Sequence, residues 1–167
     1  MGAAAAALIA GMSGIASPAS AATTPGVNLD LSWTGTTNVY DKSPIKYTFT
    51  VTNTGRVSAK TTTLQWKYQE PVQPKAPTDG GYVNLRATAP KGAKCSVDTK
   101  KHIATCQLGA LAPGATTKVT WTGTADMKGN LPRGLDGSYV MNVQSTPTDT
   151  ATNNNSFTGG WGISEPR

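Results

Sequence analysis

Ile45-Lys46-Tyr47-Thr48-Phe49-Thr50-Val51-Thr52 places an apolar side chain at every odd position and a polar one at every even position. Successive side chains of an extended backbone turn to opposite faces, so residues 45–52 predict a half-buried β-strand. The same period recurs in both directions. Val27, Leu29, Leu31 and Trp33 alternate with Asn28, Asp30 and Ser32, and Leu64, Trp66 and Tyr68 alternate with Gln65 and Lys67. Val83, Leu85 and Ala87 make a shorter run. Val119 with Trp121, then Tyr139, Met141 and Val143, make two more, and Phe157 with Trp161 suggests a last. Asn53-Thr54-Gly55, Asp79-Gly80-Gly81, Pro113-Gly114 and Asp136-Gly137 supply turn chemistry between the runs. About seven to eight short strands, each with one polar face, predict two antiparallel sheets packed face to face. The first and last runs, Val27–Trp33 and Phe157–Trp161, are expected at sheet edges because they are terminal in sequence.

Outside the strand region the chain changes character. Residues 1–21 hold an apolar, Ala-rich run from Ala3 to Ala10, then Gly11, Gly14 and Pro18, then Ala19-Ser20-Ala21. That order is the one a secretory signal peptide uses, with cleavage expected after Ala21. No Lys or Arg precedes the apolar run, so the segment reads as an export signal short of its basic start. A membrane helix is the alternative, and the run falls short of the ~20 strongly apolar residues a bilayer needs. Residues 22–26 then form a short linker, 27–162 an all-β, immunoglobulin-like sandwich, and 163–167 a tail. No membrane span is expected after the signal. The tail is neither a hydrophobic anchor nor a sorting signal, so the expected location is secreted, extracellular or cell-wall associated.

The chain has two cysteines, Cys95 and Cys106. With Lys100-Lys101 as a tight turn, Cys95 falls opposite Cys106 and Val97 opposite Ala104. An export signal places the pair in an oxidising compartment, where a disulfide is the expected state. A reactive thiol would need a neighbourhood that stabilises its thiolate, and this hairpin offers little for one.

Several short segments together resemble a known family. They are Tyr47–Gly55, then Ala89-Pro90-Lys91-Gly92 leading into Cys95, then Thr105–Gly114, and finally Asp149 before Asn153-Asn154. In this order they are similar to the immunoglobulin-like repeat of bacterial surface proteins known as domain of unknown function eleven. The resemblance covers about residues 27–160. It implies a β-sandwich and a stalk or adhesive role at a bacterial surface, and it carries over no active site. Two departures, a single copy and a Pro-rich excursion at Gln69–Gly81, set this chain apart from a simple spacer.

Catalytic chemistry finds little material here. The one histidine, His102, has no nucleophile signature to serve and reads as an exposed strand residue. One histidine and a disulfide cannot make a zinc site, and Asp149 with Asn153–Asn155 offers calcium only one carboxylate. The nine acidic residues lie mostly at turns, and no phosphate loop or dinucleotide fingerprint occurs. No cofactor or metal is expected, and the enzyme reading ranks last.

The basic excess carries more. The net charge is +6, and Lys91, Lys94, Lys100, Lys101 and His102 fall within twelve positions, relieved only by Asp98. Such a cluster attracts acidic partners over a distance, and it also keeps a sheet edge soluble. Trp161, between Gly160 and Gly162, is the tryptophan expected to be exposed, whereas Trp33, Trp66 and Trp121 fall in phase with the core. The function expected is therefore a non-enzymatic binding or assembly module. Its partner would be an extracellular protein or an anionic envelope polymer, met through loops, a strand edge and the basic hairpin. A small lectin-like module is the alternative. No module for reading nucleic-acid sequence is present.

Overall fold

The period-two runs fold into two sheets. The computed structural model describes residues 26–37, 39–71, 81–126 and 135–164. The strands are β1 (Leu29–Gly35), β2 (Pro44–Asn53), β3 (Ala59–Pro71), β4 (Gly81–Thr88), β5 (Lys94–Asp98), β6 (Ile103–Leu111), β7 (Thr116–Asp126), β8 (Leu135–Thr146) and β9 (Ser156–Ile163). One sheet has the order β1-β2-β7-β4 and the other β5-β6-β3-β8-β9, and every strand ladder is antiparallel. In immunoglobulin lettering the first is A-B-E-D, while β3, β8 and β9 take the places of C, F and G. The described strands number nine because the cysteine hairpin contributes two full strands. That hairpin widens the second sheet beyond β3, yet it enters the chain after β4. Residues 1–25, 38, 72–80, 127–134 and 165–167, which include the expected signal peptide and most of the Pro-rich excursion, lie outside the described residues.

The apolar phase of each run faces the other sheet. Ile45, Tyr47, Phe49 and Val51 of β2 are buried, with Leu64, Trp66 and Tyr68 of β3, Val119 and Trp121 of β7, and Met141 and Val143 of β8. Trp66 is the hub. Its ring lies 5.3–5.4 Å from those of Phe49, Tyr47 and Tyr68, and 5.8 Å from that of Tyr82. Aromatic rings at such tilted geometry add attraction beyond the area they bury. The Tyr47 and Tyr82 hydroxyls meet at 3.0 Å, which gives two phenols a partner inside the core.

β4 departs from the expected alternation. The residue it buries at its start is Tyr82, not Val83, because a bulge falls between Val83 and Arg86 and Asn84 takes a φ of 54°. The extra residue shifts the phase, so Val83 aligns with Thr124 while Ala87 returns to face Trp121. Gly123 opposite the bulge is there for space: a Cβ would stand 2.8 Å from Leu85 Cδ2 and from the Val83 carbonyl.

The segments around Asn53, Pro113-Gly114 and Thr150 converge at one end of the sandwich. Asn53 donates to the carbonyls of Val57 and Leu111, both at 2.9 Å, and its Oδ1 accepts from Gly55 N–H at 3.1 Å. Thr54 and Thr150 N–H donate to the carbonyls of Asn28 and Val27, so the lead-in to β1 is clamped from two sides. Pro113-Gly114 makes the expected turn, with Gly114 at φ 72° and Ala115 N–H donating to Ala112. Gly55 is glycine for space and not for a left-handed corner. Its φ is not positive; a Cβ there would lie 2.3 Å from the Gly26 carbonyl, so close approach dictates the glycine.

Both terminal runs are edges, as expected: β1 closes one sheet and β9 the other. Between them Trp33 sits 5.9 Å from both Tyr139 and Phe157, closing that side with rings. The opposite side, between β4 and β5, stays open.

Candidate functional site

The basic hairpin forms in the expected register. Cys95 pairs with Cys106 and Val97 with Ala104, and the two cysteines form a disulfide across the strands. The ladder ends at Asp98↔Ile103, one step before a two-residue turn would allow, so Thr99–His102 form a four-residue loop. Asp98 organises it. Its Oδ1 accepts the N–H groups of Lys100 and Lys101, each at 3.1 Å, and its Oδ2 lies 3.8 Å from the Lys101 ammonium. An aspartate that closes its own turn in this way is an Asx turn.

His102 closes the loop at φ 54°. It is half-buried and not the exposed strand residue expected, because its ring meets Tyr68 edge-on at 5.6 Å and its carbonyl accepts Tyr68 N–H at 3.0 Å. It anchors the tip to β3. The lysines around it are exposed. Lys91 occupies the first corner of a turn closed by Ala93 N–H donating to Pro90, and Lys94 opens β5.

The five predicted residues therefore form a line and not a knot. Lys91 and Lys94 stand at the base of β5, and Lys100 and Lys101 stand at its tip, roughly 13 Å along a strand that rises about 3.3 Å per residue. Asp98 is the single acid from Lys91 to Leu111. Arg86 joins this line from β4 and was not legible in sequence, because only the folded arrangement brings β4 beside β5. It lines an open groove of about 590 Å³ with Leu85, Ala87, Ala89, Cys95 and Val97.

The tryptophans sort as expected where they can be placed. Trp66 and Trp121 are buried and Trp33 is partly buried against the core. Trp161 lies in β9 opposite Gly137, and its side chain lies outside the described ones. Asp149 is occupied by backbone donors, with one oxygen accepting Leu29 N–H from β1 and the other Ala151 N–H from its own loop. Among the described residues no three His, Cys, Asp or Glu side chains gather where a metal could bind, and no helix is long and apolar enough to cross a membrane.

No family model and no curated protein matches the chain. Solved structures do. The CARDB domain of a Pyrococcus furiosus protein, determined in complex with di-metal ions, is 15% identical, covers 87% of this chain and 96% of its own, and superposes with a TM-score of 0.50. The collagen-binding domain of a Staphylococcus aureus adhesin is 10% identical over 81% of this chain and 97% of its own, with a TM-score of 0.44. The major subunit of Escherichia coli aggregative adherence fimbriae type I is 12% identical over 86% and 98%, with a TM-score of 0.44. The likeness is one of fold. The likeness to the CARDB domain agrees with the two-sheet sandwich built above.

Proposed function

We propose that this chain is an exported, non-enzymatic binding or assembly module that recognises an acidic partner along the β5–β6 hairpin. One observation carries the reading: Lys91, Lys94, Lys100 and Lys101 are exposed along one disulfide-held edge hairpin whose only acid is folded into its own turn. A rigid line of like charge raises the local concentration of an oppositely charged partner and orients it on encounter. Two sequence features support the setting. Residues 1–21 have the order of a signal peptide, and the chain resembles the domain of unknown function eleven family of bacterial surface repeats. The partner classes are an acidic protein surface and an anionic envelope polymer.

The test is capture from the native culture supernatant and envelope extract on immobilised protein, with Lys100→Glu/Lys101→Glu as the paired bait. Material that the wild type retains, salt releases and the variant fails to hold is the expected result. Equal capture by both baits contradicts the reading.

A further inference from the structure

Where β4 and β5 part, the sandwich leaves its core uncovered. Leu85, Ala87, Cys95 and Val97 pack against the core but are only half-buried, and they line the open groove of about 590 Å³.

The two edges flanking the groove are not equivalent. β4 is broken by its bulge at Asn84, a device that blunts an edge against pairing. β5 is regular from Lys94 to Asp98. Its Cys95 lies with its Cα 4.1 Å from that of Cys106, the close spacing of a non-hydrogen-bonded antiparallel pair. The β5–β6 ladder bonds therefore fall on Lys94, Ser96 and Asp98. The N–H and C=O groups of Cys95 and Val97 face away from β6, along the free edge.

We infer that this edge takes one extended segment of an acidic partner protein as an added strand, with alternate apolar side chains entering the groove. Main-chain bonds to Cys95 and Val97 supply affinity, and the groove selects the alternating pattern. Charge selects the rest. Arg86 lines the groove, exposed Lys91 and Lys94 flank its Ala93 in sequence, and Lys100 and Lys101 stand at the strand's end, while Asp98 is turned into its loop. Acidic residues in the intervening positions of the segment complement this rim. A second copy of the chain does not: pairing β5 with β5 sets one basic edge against another.

This inference rests on the charge reading above and narrows it to a strand-shaped ligand. The test titrates the isotope-labelled full chain with a blocked heptapeptide alternating Glu and Val. The comparison probes are a peptide of the same composition in two blocks, and polyglutamate. The alternating peptide is expected to bind at least tenfold more tightly than the block peptide. It should also slow amide exchange at Cys95 and Val97 at least tenfold. Val97→Pro removes one free-edge donor without touching the ladder to β6, so it should lose that tenfold preference while keeping polyglutamate binding. Val97→Ala, which retains the donor, should keep the exchange protection.

Unchanged exchange at Cys95 and Val97 under saturating peptide overturns the inference. So does equal affinity for the block peptide, or protection that appears on dimerisation without peptide. If polyglutamate binds and the alternating peptide is no better, the groove falls and the charge reading stands. If neither binds, both fall.

Discussion

Asn53 shows how one side chain can hold several distant segments. Its amide reaches the carbonyls of Val57 and Leu111, its oxygen takes the N–H of Gly55, and its own backbone bonds Gly114 and Ala115. Asn53→Ala leaves the buried Leu111 carbonyl and the part-buried Val57 carbonyl without their donor, and takes the side-chain acceptor from the Gly55 and Asn28 N–H groups, so it should cost on the order of 3 kcal/mol. Urea denaturation of the variant beside the wild type measures it. A loss below about 1 kcal/mol would mean that water replaces the amide at this end. Sequence alone marked Asn53-Thr54-Gly55 as a turn and missed why Gly55 is glycine. The atoms that crowd it belong to Gly26, Val27 and Asn28, more than two dozen positions earlier. Contacts across such separations leave no local pattern to read.

Among the elements, the β5–β6 hairpin was the most legible and the β4 edge the least. Its register followed from the Cys95–Cys106 spacing, and Asp98 with two lysines marked its turn. The bulge in β4 was hidden because Val83, Leu85 and Ala87 keep an apolar spacing that a regular strand would also show. The groove beside it was equally invisible, since β4 and β5 belong to different sheets and meet only through the topology. For the hairpin, intact mass of protein recovered from the native culture should show a chain beginning after Ala21, if the proposed export signal is cleaved, and lighter by two hydrogens than the dithiol. Cys95→Ser with Cys106→Ser should lower stability by about 3 kcal/mol, the loop-closure value for a ring of this size. Two thiols that alkylate without reduction would remove the staple from the account.

At the scale of the whole molecule, the fold class was plain from the two-residue period because each sheet buries one face. The line of basic residues was plain only in part, since Arg86 comes from the other sheet. The packed core also sets a pH limit. Burial pushes the Tyr47, Tyr68 and Tyr139 phenols above their ordinary 10.0, and Tyr82, beside Tyr47, far above it. Unfolded tyrosines lose their protons first, so above pH 10 the native state binds more protons and stability falls as pH rises. Each shifted tyrosine contributes at most about 1.4 kcal/mol per pH unit in that window. Urea midpoints should therefore show no tyrosine-linked fall below pH 9 and should drop steeply by pH 11, together with the rise in phenolate absorbance. Phenolate absorbance that reaches its full value before unfolding would contradict buried phenols. Recognition through the basic hairpin, as proposed, is measured by the affinity of wild type and Lys100→Glu/Lys101→Glu for one purified anionic wall polymer at low and high salt. The wild type should bind at low salt and weaken as salt rises, and the variant should bind at least about tenfold more weakly at low salt, where charge is least screened. Equal low-salt affinities for the two proteins would leave these lysines as solubilising groups and contradict the claim.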